Sequence, residues 1–156
     1  MIKKTYNTMD VFTIYNEDLK PTKNEKEEIV AFLYEHLDEY GDKKKDIQKC
    51  LEFAVKESEK ALGGFVLTLF EGDKLIGATI VNKTGMSGYI PENILVYIAV
   101  HNSTRGKGVG KKIMQKAIEI AEGDIALHVE PNNPAKHLYE KLGFENKYLE
   151  MRYIKA

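Results

Sequence analysis

The sequence has a single cysteine, Cys50, so it can close no internal disulfide, and no Cys/His cluster shows zinc-site spacing. A reducing cytoplasm is the simplest compartment for such a chain. Long hydrophobic runs are also missing: nothing approaches the roughly 18 apolar residues of a membrane helix, and no apolar stretch follows the lysines of the N-terminal MIKKTYNTMD. The expectation is therefore a soluble, unprocessed cytoplasmic protein. A dominant charge is lacking too. Lys+Arg 23 against Asp+Glu 24 gives a net charge of −1, and nothing global points to nucleic acid or an anionic membrane as partner. No internal repeat, low-complexity tract or Pro/Ser-rich linker interrupts the chain.

What is present suffices for one core. A chain of 156 residues, 43% hydrophobic and 30% charged, can bury an interior and keep a soluble surface, so a single domain over 1–156 is expected. DVFTIY at 10–15 predicts a first strand. Ile29, Leu33, Leu37 and Tyr40 recur at helical spacing, with Thr22 or Asn24 as cap and Gly41 as stop. A second helix is predicted over 42–62, with Ile47, Cys50, Leu51, Ala54, Ser58 and Leu62 inward. FVLTLFE (65–71) and KLIGATIVN (74–82) flank the turn residues Gly72-Asp73, which predicts a hairpin. ILVYIAV (94–100) is apolar on both faces and reads as a central strand covered on both sides. A helix follows HNSTRGKGVG, then a strand at 124–130, a short helix at 134–142 and a last strand at 147–155. The fold class is mixed α/β, with about six strands and four helices.

The run Arg105-Gly106-Lys107-Gly108-Val109-Gly110 lies between the central strand and a helix. Its alternating glycines allow a sharp turn and close approach of a ligand to the backbone, and the helix start leaves N–H groups unpaired. With the positive end of the helix dipole and the side chains of Arg105, Lys107, Lys111 and Lys112, this is an anion site suited to pyrophosphate. It is not an ATP-binding P-loop, because Gly106 and Gly110 are one residue too close and Lys112 replaces the magnesium-binding hydroxyl. A dinucleotide fingerprint would require glycine where Lys111 stands. A second informative run is EPNNPAKHLYEKLGF at 130–144. Taken alone it reads as a capped amphipathic helix in which Ala135, Leu138 and Leu142 pack inward and Gly143 ends the helix before Phe144.

Together, the strand ending Ile98-Ala99-Val100, the loop pattern carried by Arg105, Gly108 and Gly110, and the NPAKHLYEKLGF segment resemble the GNAT acetyltransferase superfamily over about 94–144. The resemblance implies a sheet splayed between its fourth and fifth strands, with the pantetheine arm of acetyl-CoA lying in the gap. It implies that the loop of Arg105, Gly106, Lys107, Gly108, Val109, Gly110 and Lys111 holds the CoA pyrophosphate. The main chain of Ile98, Ala99 and Val100 would pair with pantetheine, one amide polarising the thioester carbonyl. Asn133, or Asn132 if the alignment shifts by one residue, would hydrogen-bond pantetheine. Tyr139 would be the acid that protonates the leaving thiolate, a task suited to a phenol of ordinary pKa about 10.

The attacking amine needs a base, because an ammonium of pKa about 10.4 is almost wholly protonated at neutral pH. Some relatives carry Glu or His within the fourth strand, where this chain has Ile94 and Val96. Glu92 and His128 are the nearest candidates, each with a simpler reading as a loop carboxylate and a sheet histidine. His101 and His137 read as surface residues. Cys50, on the apolar side of a helix without a partner base, reads as core rather than as an acyl-carrying nucleophile. The acidic run Glu25, Glu27, Glu28, Glu35, Asp38 and Glu39 reads mainly as a solvated helix face that can also attract a cationic amine.

The function expected is direct acetyl transfer from acetyl-CoA to a primary amine in a ternary complex, without a metal. The acceptor is a small molecule, a peptide or a protein, and the terminal strand offers a route to a homodimer. The alternatives are a non-catalytic CoA-binding sensor or adaptor, and a magnesium-dependent phosphotransferase.

Overall fold

The computed structural model describes residues 10–156. Five strands form one sheet, in spatial order β1 (Asp10–Tyr15), β2 (Gly64–Glu71), β3 (Lys74–Lys83), β4 (Asn93–Val100) and β5 (Ile125–Leu127). The helices are α1 (Lys23–Leu37), α2 (Lys44–Ala54), α3 (Val109–Ile120) and α4 (Ala135–Lys141). The strands β1 to β4 pair antiparallel, and β5 joins β4 parallel. No helix among the described residues is long and apolar enough to cross a membrane.

Two cores sandwich the sheet. On one face Val66, Ala78, Ile80, Tyr97 and Ala99 pack against Ile29, Leu33, Ile47 and Leu51 of α1 and α2. On the other, Phe65, Leu67, Leu69, Ile76, Val81 and Leu95 pack against Val109, Ile113, Met114 and Ala117 of α3 and Tyr139 of α4. Strand alternation distributes the side chains between the two faces, which is why β2 and β3 read as nearly continuous apolar runs. The start of α1 is fixed by a capping box: the Thr22 hydroxyl accepts from Glu25 N, and the Glu25 carboxylate accepts from Thr22 N. Glu25 also accepts from the Tyr15 hydroxyl at 2.7 Å, which ties α1 to β1.

Three boundaries differ from expectation. The second helix stops at Ala54 instead of Leu62. Lys56 adopts a left-handed φ of +54°, and the following Glu57, Ser58, Glu59 and Lys60 supply no apolar side chain to hold a helix against the sheet. The fifth strand keeps only three residues of the predicted 124–130, because its partner strand diverges after Leu127. The predicted sixth strand at 147–155 is not part of the sheet, which makes the count five. Residues 145–156 have no assigned secondary structure and are exposed. A strand requires a hydrogen-bonding neighbour, and β-prone composition alone does not provide one.

Candidate active site

β4 pairs with β5 only through Asn93, Ile94 and Leu95, opposite Ile125, Ala126 and Leu127. On its other side it stays paired with β3 as far as Val100. From Val96 to Val100, therefore, one edge of β4 has no strand beside it among the described residues, and alternate N–H and C=O groups point into the gap. The register with β3 slips at this place: Ile80 faces Tyr97 and Val81 faces Leu95, so Val96 is the unmatched residue of a bulge. The gap is lined by the main chain of Val96, Ile98 and Val100, beneath which Ile98 and Val100 pack on the α3 side.

The gap leads to the loop between β4 and α3. Gly106 (φ +80°) and Gly108 (φ +79°) are left-handed, and a Cβ built on either would meet nothing within 4 Å, so conformation and not crowding selects glycine there. The first hydrogen bond of α3 runs from Lys112 N to Gly108 O at 3.1 Å, leaving the amides of Val109, Gly110 and Lys111 unpaired at the helix start. These amides, with the helix dipole, form a nest for an anion. Lys107 and Lys111 are exposed and form no ion pair among the described residues. The other two basic residues are engaged elsewhere. The Arg105 guanidinium donates to His36 O at 3.3 Å, at the end of α1, and Lys112 pairs with Asp10 at 2.9 Å.

α4 closes over this corner. An added Cβ at Gly110 would lie 3.3 Å from Leu138 and 3.8 Å from Val100, so glycine allows α3, α4 and β4 to converge. Tyr139 is buried in the same apolar cluster, tilted against Phe144 with ring centroids 6.1 Å apart. Burial pushes its phenol up to about 12. Asn133 is half-buried and its side-chain oxygen accepts from Ala135 N at 3.0 Å, which holds the start of α4 and leaves the amide NH2 as its free donor group. Asn132 is exposed, and its carbonyl accepts from the Tyr40 hydroxyl at 3.4 Å.

The two expected base candidates lie in different places. Glu92 sits at the closed end of the β4–β5 pair, where its carboxylate accepts from Asp124 N at 2.7 Å. That backbone hydrogen bond holds its pKa below the ordinary carboxylate value, a poor setting for a base. His128 directly follows β5 and is exposed, at the position where a continued register would place it opposite Val96. Leu127 and Val129 pack on the α3 side, so alternation turns His128 toward the α1/α2 side.

That side holds residues the sequence did not mark. The Tyr97 hydroxyl, next to the bulge, donates to the exposed carboxylate of Asp42. Burial, followed by this contact, raises the Tyr97 pKa. Asp42 lies on the rim of a depression of about 430 Å³ bounded by Tyr34, Glu35, Asp38, Gly41 and Lys43. Tyr97 breaks an otherwise aliphatic strand, which was the available signal. Asp42 carried none, because its partner lies 55 residues away in the chain. His101, read as a surface residue, instead stacks on the buried His36 with centroids 4.4 Å apart and accepts from Ser103 N. Partial burial, then Lys74 and His36, lower its pKa.

A sequence profile of the acetyltransferase (GNAT) family matches residues 11–144. The chain belongs to the acetyltransferase (GNAT) family. The fold is similar to that of a possible acetyltransferase from Clostridium difficile 630, at TM-score 0.66 and 18% identity over 95% of this chain and 98% of that one. It is also similar to the aminoglycoside N-acetyltransferase AAC(6')-Iy, solved with CoA, at TM-score 0.66 and 15% identity over 94% and 96%. PH1933 from Pyrococcus horikoshii OT3 has 25% identity at TM-score 0.63 over 90% and 93%. No curated protein matches the chain in sequence. Family membership supports acetyl transfer as the class of activity.

Cys50 does not belong to the reacting groups. Its thiol is pushed up to about 12, chiefly by burial, and the Asn82 amide nitrogen lies 3.3 Å from the sulfur. A thiol in that state is almost entirely protonated at neutral pH and a weak nucleophile. Labelling of native protein with a thiol-specific reagent at pH 8 should run more than about a thousandfold slower than labelling of free cysteine, and unfolding should restore the rate. Prompt native labelling would contradict this account.

Proposed function

We propose that the protein transfers an acetyl group from acetyl-CoA to a primary amine by direct attack in a ternary complex. The observation that carries this reading is the unpaired edge of β4 from Val96 to Val100, running from the bulge to a loop of free amides. Pantetheine contains two amide groups, so it can pair with such an edge as a short added strand. Its diphosphate then falls at the Gly106 to Lys111 loop, where backbone donors and the helix dipole balance the charge and Lys107 and Lys111 add to it. Asn133 offers its amide NH2 to a pantetheine carbonyl, and Asn132 lies on the same rim.

The thioester would lie by the bulge. An amide of this run, at Val96 or Ile98, polarises its carbonyl oxygen and stabilises the tetrahedral anion that amine attack produces. Collapse of that intermediate breaks the C–S bond and leaves a thiolate. Tyr139 is the group we assign to it. With the phenol near 12 and an ordinary thiol near 8.5, complete proton transfer to sulfur would be uphill by about 5 kcal/mol. The stabilising contribution of Tyr139 is therefore a hydrogen bond to the developing charge, and the proton on the released thiol comes ultimately from the amine.

The amine approaches from the α1/α2 side, where Glu35, Asp38 and Asp42 favour a cation. To attack, it must lose a proton, and His128, exposed just past the end of β5, is the group we assign to receive it. The inert thiol of Cys50 agrees with direct transfer and provides no acyl-enzyme route.

Two predictions follow from these assignments. Gly108→Glu puts a bulky anion in the nest and should abolish acetyl-CoA binding in calorimetry, whereas unchanged affinity would remove the loop from the cofactor site. For the chemical step, kcat is measured against pH in three proteins. Tyr139→Phe and His128→Gln should each lower kcat about a hundredfold while leaving the acetyl-CoA Kd intact. In the wild type, no alkaline loss should arise from Tyr139 until the pH nears about 12, because a raised phenol pKa keeps the proton on through the neutral range. Undiminished turnover in either variant would remove that residue from the mechanism.

A further inference from the structure

His36 lies on the last turn of α1 and is 6% exposed, and the acetyl-transfer reading gives it no task. Yet both its ring and its carbonyl are used by the segment that leads into the anion loop. The ring Nδ1 accepts from Asn102 N at 3.3 Å, and the carbonyl accepts from the Arg105 guanidinium at 3.3 Å. That carbonyl is among the last four of α1, which lack a partner within the helix, so the guanidinium also meets the negative end of the helix dipole. Between the two contacts, residues 102–104 form a single 3-10 turn, closed by Thr104 N and Thr104 Oγ1 on His101 O at 2.9 and 2.8 Å. Behind the turn, His101 N is held by Ile76 O of β3 at 2.8 Å; ahead of it, Lys107 N donates to Thr104 O at 3.2 Å. Gly106 and Gly108 have nothing within 4 Å of where a side chain would start. The loop therefore takes its position from its two ends, the turn at 102–104 and the start of α3.

The donor to the His36 ring decides its protonation state. A backbone N–H can only donate, so Nδ1 must be bare and the ring neutral, with its proton on Nε2. The same holds for His101, whose Nδ1 accepts from Ser103 N at 3.1 Å. The two rings stack with centroids 4.4 Å apart, and the Phe32 ring lies 4.6 Å from His36. A second proton on His36 would stand on Nδ1 and face the Asn102 N–H, donor against donor in a buried place. The charged groups around the pair act unequally. Glu35, 3.8 Å from His36 Nε2, favours a charge on that ring. Lys74, which donates to Ser103 Oγ, and His36 itself disfavour one on His101, while Arg105 at the His36 carbonyl acts against any added proton. A proton that enters the pair therefore goes to His36.

We propose that His36 is a positioning residue for the anion loop: as a neutral imidazole it holds the segment from Asn102 to Arg105, and proton uptake at Nδ1 releases that segment and the loop beyond it. A purely electrostatic imidazole would act in the opposite direction, since an added positive charge near a diphosphate site strengthens binding. The sign of the pH dependence separates the two. That the loop so held takes acetyl-CoA rests on the function proposed above; the lock itself does not.

The test follows the free protein by NMR from about pH 8 to about pH 5, and the acetyl-CoA Kd by calorimetry over the same range. At pH 8 the nitrogen-15 shifts of the His36 ring should show Nδ1 as the nitrogen without a proton. On acidification, the amides of Asn102, Gly106 and Gly108 should shift with the same midpoint as the His36 ring. Loop amides that stay in place while the ring titrates, or a ring that stays neutral down to pH 5, would overturn the proposal. His36→Asn keeps an acceptor oxygen where Nδ1 stands but takes up no proton, so its Kd should lie within about twofold of the wild type at pH 7.5. Between pH 7.5 and pH 5.5 the wild-type affinity should then fall at least about fivefold more than that of His36→Asn. His36→Leu offers no acceptor and should weaken binding about tenfold at both pH values. An equal fall in wild type and His36→Asn, or a wild-type affinity that rises relative to the variant, would contradict the lock. A wild type that binds no acetyl-CoA at any pH would instead remove the cofactor reading, and the amide titration of the free protein would still decide the lock.

Discussion

The arrangement depends on one constraint: an interior strand packed on both faces must satisfy its backbone on both edges, and β4 does so on only one beyond Leu95. β3 holds it to Val100, while β5 leaves after three residues. Peptide groups left unpaired inside a fold are costly, and a sheet normally removes them. Here they are retained in a line, next to a bulge, and continue into the free amides at the start of α3. A ligand that carries amides at one end and a diphosphate at the other would match both features. In the proposed reaction the side chains would then have limited tasks, and the phenol of Tyr139 is the one assigned to the leaving group.

Burial acts on three groups in different ways. It keeps the Tyr139 phenol neutral and therefore a donor across the physiological range. The same effect makes the Cys50 thiol inert. At Tyr97, burial and the Asp42 carboxylate together hold the proton on the phenol, so this residue orients the carboxylate and does not compete as an acid. Glu92 differs: a backbone amide stabilises its charged form, and its carboxylate joins the closed end of β4 to the start of β5.

Much of the fold was legible because local signals and burial agreed. DVFTIY formed β1 over the expected residues, Thr22 rather than Asn24 capped α1, and the apolar run ILVYIAV became β4, an interior strand one place from the sheet's edge and not its centre. The loop glycines were legible because left-handed φ leaves few other choices. What failed depended on partners. KYLEMRYIK has the composition of a strand but no strand beside it among the described residues, and the predicted helix over 42–62 ran on through the left-handed Lys56 into the polar residues 57–60. Site chemistry showed the same division. That Tyr139 stands on a short helix could be read from its segment, whereas the turning of Arg105 toward His36, the pairing of Lys112 with Asp10 and the meeting of Tyr97 with Asp42 depend on residues 55 to 102 positions apart.

The central claim concerns backbone groups, so the most direct measurement follows them one at a time. In an amide-resolved NMR titration of the intact protein with acetyl-CoA, the largest shifts should fall on Val96, Ile98 and Val100 and on Gly108 to Lys111. With desulfo-pantetheine fragments alone, only the β4 group should respond. Shifts concentrated elsewhere, with the β4 edge unmoved at saturation, would contradict the account.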